Sequence, residues 1–66
     1  GTPEQILVTI FEENGCDISP RTLIETAMAQ GLTRADIDEA GEGLDDQGAF
    51  VNSEVGLRLV IGPVCR

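Results

Sequence analysis

The stretch TRADIDEAGEGLDDQG, residues 33–48, decides the fold of this 66-residue chain. On a helix, which advances about 100° per residue, its apolar and small residues gather on one side. They are Ile37, Ala40, Gly41 and Leu44. Thr33 can cap the start, with Asp36 three residues later, and Gly48 can end the helix. We therefore predict a helix over about 34–47 that packs this side on a core.

The opposite side of this helix carries five carboxylates and no Lys or Arg, within about a third of the circumference. They are Asp38, Glu39, Glu42, Asp45 and Asp46. Like charges one turn apart cost about 0.2–0.5 kcal/mol per pair, and each of Gly41 and Gly43 costs up to about 1 kcal/mol relative to Ala. Several local rules broken together are typical of a functional site, so these five residues are our predicted partner-binding residues.

General surface charge is the competing interpretation of the same carboxylates. A solvated helix face usually mixes charges of both signs, whereas this chain contains no Lys. A salt-adapted proteome, in which acidic, Lys-poor chains are ordinary, is one form of this interpretation. Both interpretations stay open at this point.

Overall charge narrows the class of partner. The net charge is −8 and the sequence pI is near 4.1, with four cations in the whole chain. Nonspecific binding to nucleic acid or to anionic membranes needs cations, so we expect no membrane partner and no direct nucleic-acid partner. A basic protein is the partner that fits. No run of about 18 apolar residues is present, and we expect a single cytoplasmic domain over residues 1–66, of unknown oligomeric state.

The chemistry-bearing residues are few. Cys16 and Cys65 are too few for a disulfide scaffold and lack metal-ligand spacing, and the chain has no His. We therefore expect no metal and no cofactor, and we favour free thiols over a single bridge between them. Ser19 and Ser53 have no base partner and suit a cap and a turn, so we expect no catalytic residues and no enzyme.

The remaining segments give the order of elements. Thr2 and Pro3 open a helix predicted over about 3–14, and Ser19 and Pro20 open one over about 20–30. Residues 16–18 form an extended link or short strand between them. A β-hairpin is predicted over about 49–61, followed by a tail at 62–66. The predicted fold class is α+β, with three helices and a C-terminal hairpin.

Ala27, Gly31, Leu32 and Ile37 stand around the turn between the second and third helices, and Leu44, Gly48 and Phe50 follow. In their spacing and in the order of elements, the chain resembles the winged helix-turn-helix family. The first four residues match its helix-turn-helix, and the last three match the end of its third helix and its first wing strand. The resemblance covers about residues 2–62. It implies a small winged-helix domain. The family includes many DNA-binding regulators and also protein-interaction modules.

In DNA-binding members of that family, the third helix enters the major groove and the wing touches the backbone. Carried over by position, the DNA-contacting residues would be Thr33, Arg34 and Arg58. Asp38 and Glu39, however, would point carboxylates towards phosphates. The favoured function is therefore a non-enzymatic protein-interaction module that docks its acidic third helix on a basic partner, in its sharpest form as a nucleic-acid mimic or inhibitor. The alternative is a DNA-binding transcriptional regulator or its regulatory domain.

Overall fold

A computed structural model describes all 66 residues. It contains four helices and three short strands. In chain order these are α1 (Pro3–Glu12), β1 (Asp17–Ile18), α2 (Pro20–Ala29), α3 (Arg34–Asp46), β2 (Phe50–Asn52), β3 (Leu57–Leu59) and α4 (Gly62–Cys65). The predicted α+β class is confirmed, while the predicted number of helices was one too low. None of the helices is both long and apolar enough to cross a membrane.

Each of the three longer helices begins at a hydroxyl cap. Thr2, Ser19 and Thr33 each accept a hydrogen bond from the backbone amide three residues later. At α1 and α3 the side chain of Gln5 or Asp36 bonds back to the amide of the cap residue, which completes a capping box. A cap of this kind contributes about 1 kcal/mol to helix stability, so these local signals fix where the helices start.

The same three helices also end alike. A glycine with positive φ follows each helix, and the amide after that glycine bonds to a carbonyl five residues back. These bonds join Cys16 to Phe11 (2.8 Å), Leu32 to Ala27 (3.2 Å) and Ala49 to Leu44 (3.1 Å). The turns satisfy carbonyls that a helix end leaves without partners. They stop the helices at Glu12, Ala29 and Asp46, one or two residues before the predicted ends.

The three strands form one antiparallel sheet in the order β1-β3-β2. Asp17 of β1 pairs with Arg58 of β3, which pairs on its other side with Val51 of β2. The hairpin strands are shorter than the predicted 49–61 because the ladder covers only residues 50–52 and 57–59. The short segment before α2 is a true strand, which sequence spacing alone left undecided.

The core lies between the helices and one face of this sheet. α1 packs against α3 and α2, and the ring centroids of Phe11 and Phe50 lie 5.5 Å apart. The buried residues are Leu7, Ile10, Phe11, Ile18, Leu23, Ala27, Ile37, Ala40, Leu44, Ala49, Leu59 and Cys65. They include the predicted apolar positions of α3 except Gly41, which is half-buried.

Two expectations about the C-terminal part were wrong. Residues 62–66 were predicted as a tail, yet Gly62–Cys65 form a short helix with Pro63 in its first turn. Free thiols were favoured, yet Cys16 and Cys65 are joined by a disulfide. The reason is that α4 turns back onto α1 and brings Cys65 to the end of that helix, a long-range contact that the spacing of two cysteines does not reveal.

Candidate protein-interaction surface

The orientation of α3 follows from its two sides, one apolar and one acidic. Ile37, Ala40 and Leu44 are buried, which fixes this side of α3 against the rest of the core. The helix is continuous through Gly41 and Gly43. The opposite side of α3 therefore faces solvent.

Four of the five predicted partner-binding residues line one open groove on that outer side. They are Asp38, Glu39, Glu42 and Asp46, with Ala35 and Gly43 between them. Asp45 is exposed but does not line this groove.

Glu4 of α1 extends the acidic area and was not predicted. A second groove of about 410 Å³ runs between the start of α1 and α3, lined by Thr2, Pro3, Glu4, Asp36, Glu39 and Ala40. Glu39 lines both grooves and so connects them. We call the six residues Glu4, Asp36, Asp38, Glu39, Glu42 and Asp46 the acidic surface.

Gly43 of α3 lies beside the end of the Glu4 side chain, which reaches it from α1. A β carbon at Gly43 would stand only 2.6 Å from Oε2 of Glu4. The side-chain amide of Gln47 donates to Oε1 of Glu4 at 3.4 Å and to the carbonyl of Gly43 at 3.2 Å. A glycine inside a helix was the available signal, since it often marks the close approach of another group. It did not reveal which residue approaches.

Two of these carboxylates have polar partners within α3. The backbone amide of Thr33 donates to Asp36 at 3.0 Å, and this bond, followed by one with the Thr33 side chain, holds the pKa of Asp36 below its usual value. Arg34 Nε donates to Asp38 Oδ1 at 3.0 Å, with both side chains more than half exposed. Arg34 is the one cation that forms an ion pair with the acidic surface.

All three residues of the DNA-binding alternative are already engaged within the domain. The hydroxyl of Thr33 accepts from the Asp36 amide, and Arg34 pairs with Asp38. Arg58 donates through Nη2 to Oδ2 of Asp17 at 2.9 Å, across the sheet. A contact with phosphate would therefore have to compete with a neighbouring carboxylate at both arginines.

Comparisons with family models, with curated proteins and with solved structures each find no match. The acidic surface is thus the feature from which a function has to be inferred. No three His, Cys, Asp or Glu side chains lie close enough together to hold a metal ion. The Ser53 hydroxyl donates to Asp17 Oδ1 and accepts from the Gly56 amide. It therefore stabilises the turn between β2 and β3.

Proposed function

We propose that this chain is a non-enzymatic protein-interaction module of the winged-helix type, which docks its acidic surface on a basic partner protein. The observation that carries this proposal is the collection of six carboxylates from α1 and α3 on one side of the domain, with Arg34 as their only paired cation. Carboxylates crowded in this way repel one another in the free protein, and a cationic partner relieves that repulsion.

The order of elements supports the winged-helix part of the proposal. Helix, strand, helix, helix, strand and strand follow one another, and the sheet order is β1-β3-β2. α2 and α3 are joined by a short turn at Gly31 and Leu32, whose amide bond back to Ala27 closes the end of α2. Five of the six residues of the acidic surface then lie on the helix that contacts the ligand in the family that the chain resembles. α4 is an addition to that arrangement.

The spacing of the carboxylates supports the sharper form, a nucleic-acid mimic. Asp38, Glu42 and Asp46 follow one another every fourth residue, which places successive carboxylates about 6 Å apart along the helix axis. A regular row of negative charges is what a phosphate backbone presents to a basic groove. Charge complementarity of this kind would raise the association rate and suppress partners of the wrong charge.

The test uses an arginine-rich peptide as a probe at about 20 mM salt, where screening is weak. Replacing Asp38 and Glu42 by Lys should abolish binding measured by calorimetry, because it reverses the centre of the acidic surface. The matched control replaces Glu13 and Glu54 by Lys. Both are exposed and lie outside the acidic surface, so the control changes the net charge equally and should retain most of the affinity.

Two outcomes would contradict the proposal. Equal losses of affinity for the peptide in the two double variants would show that binding depends only on the net charge, which is the surface-charge interpretation. The second outcome comes from titrating the unmodified chain with a generic DNA duplex while recording amide NMR spectra. Shifts clustered at residues 33–39 and 52–58 would favour the DNA-binding regulator instead.

A further inference from the structure

The disulfide between Cys16 and Cys65 ties the end of α1 to the C-terminal end of the domain. It closes a loop with a sequence separation of 49, and the two α carbons lie 5.5 Å apart. Cys16 already joins the helices to the sheet. Its amide donates to the carbonyl of Phe11 at 2.8 Å, and its carbonyl accepts from the amide of Leu59 at 2.9 Å. The bond therefore reinforces the point where α1, β3 and α4 meet.

Little else holds α4 in place. Cys65 is its only buried residue, and Val64 is 60% exposed. The helix is four residues long and has no side-chain cap. The packing of α4 on α1 thus depends mainly on the half-cystine itself.

The core of the rest of the domain is small, so the stability expected from it is low. Only 12 of its 66 residues are buried, and Phe11 is the only aromatic residue among them. A core in a domain of this size rarely favours the folded state by more than roughly two to four powers of ten in the equilibrium constant, and small domains commonly rely on disulfides. α3 lowers the stability further through its glycines and its neighbouring carboxylates.

From these observations we propose that the folding of this domain is conditional on an oxidising environment, with the Cys16–Cys65 disulfide as the switch. Closing a loop of this length restricts the unfolded chain and favours the folded state by roughly a thousandfold in the equilibrium constant. That factor is comparable to the whole stability expected of so small a core. Reduction would then leave folded and unfolded chains in near balance, and the acidic surface would disappear with the fold.

The redox step needs a dithiol reductant. One thiolate of the reductant attacks a disulfide sulfur and forms a mixed disulfide, and the second thiol displaces the protein sulfur. Two electrons and two protons pass to Cys16 and Cys65, which become thiols, while the reductant becomes a cyclic disulfide. Disulfides persist in oxidising compartments, so the bond favours such a location over the cytoplasm expected from the sequence.

The experiment compares the oxidised full chain with the chain reduced by dithiothreitol. Mass spectrometry after alkylation counts the free thiols, which should be none before reduction and two after it. Urea unfolding followed by circular dichroism should then give a folding equilibrium constant lower by about two to three powers of ten for the reduced chain. The double variant Cys16→Ala with Cys65→Ala is the control. It should resemble the reduced chain and should not respond to dithiothreitol.

Four results would overturn the inference. The first is two free thiols in chain produced under oxidising conditions. The second is an unchanged urea midpoint after reduction. The third is loss of hydrogen-exchange protection confined to residues 62–66, because the bond would then hold only α4 and not the fold. A response of the double variant to dithiothreitol would equally show that the cysteines are not the switch.

Discussion

Arg34 and Asp38 form an ion pair one turn apart on α3, with 3.0 Å between Nε and Oδ1. The pair is exposed, so it contributes at most about 0.5 kcal/mol to stability. It does neutralise one carboxylate of the acidic surface. It also occupies Arg34, the arginine that would contact guanine in the DNA-binding alternative.

Replacing Arg34 by Gln should therefore strengthen binding to a basic probe. The change leaves Asp38 without its ion-pair partner. The interaction energy of two unit charges about 4–8 Å apart in water is about 0.5–1 kcal/mol. We expect the affinity for an arginine-rich peptide at low salt to rise by roughly two- to fivefold, by the same arithmetic. The free energy of unfolding should change by less than about 0.5 kcal/mol.

Arg21→Gln is the matched control, because Arg21 forms the equivalent ion pair with Glu25 on α2. It changes the net charge equally and lies outside the acidic surface. Equal gains in both variants would assign the effect to net charge alone. A loss of affinity for duplex DNA in Arg34→Gln, without a loss in the control, would support the DNA-binding alternative.

Salt should stabilise the free domain over a low concentration range. The net charge is −8 and the acidic surface concentrates it, so screening between about 20 and 200 mM NaCl should raise the urea midpoint. The variant with Lys at positions 38 and 42 should respond less. A midpoint that rises only at molar salt would point to a salt-adapted protein, and one that falls would show that the carboxylates do not repel appreciably.

The helices were predictable because their signals are local. Thr2, Ser19 and Thr33 cap helices within three residues of themselves, and the glycine that follows each helix lies two or three residues beyond its end. The amphipathic pattern of α3 likewise placed Ile37 and Leu44 in the core. Interactions of this range can be inferred from spacing alone.

The features that were missed depend on contacts between distant residues. Glu4 meets Gly43 across two helices, and Cys65 meets Cys16 after the chain has completed the sheet. Asp17 finds Arg58 only once β1 has paired with β3. The local pattern of the sequence does not predict such long-range contacts, because they depend on how the helices pack on the sheet. They nevertheless determine the extent of the acidic surface and the redox dependence proposed for the fold.

The capping box of α3 should make the stability of the domain depend on pH in the acidic range. Hydrogen bonds from Thr33 hold the pKa of Asp36 below its usual value in the folded state. The contribution of Asp36 to stability is therefore complete at pH values above its pKa in the unfolded chain. It is lost as the pH falls through its pKa in the folded protein. Asp36→Ala should lower the urea midpoint at pH 7, and the difference from the unmodified chain should shrink towards pH 2.

Asp45→Ala serves as the control for that measurement. Asp45 is exposed in the last turn of α3, where the helix dipole disfavours a negative charge, so its removal should leave stability unchanged or slightly higher at pH 7. If Asp36→Ala lost the same amount of stability at every pH, the ionisation of Asp36 would not be responsible for the loss.

The turn between β2 and β3 should tolerate no side chain at Gly56. Its φ is +152°, and a β carbon there would stand 2.7 Å from Pro20 Cδ and 3.0 Å from the Ser19 α carbon. Gly56→Ala should therefore destabilise the domain by about 1–3 kcal/mol, through both backbone strain and overpacking against the start of α2.

Gly41→Ala is the opposite case within the same chain. A β carbon at Gly41 meets nothing within 4 Å and the residue lies inside α3, so alanine should stabilise the domain by up to about 1 kcal/mol. Urea unfolding of the oxidised variants measures both changes. If Gly56→Ala were neutral while Gly41→Ala gained stability, the hairpin turn would not be packed against the start of α2 in solution. The wing of the proposed winged helix would then be free to move relative to α3, and only α1 and α3 would present a fixed surface to a partner.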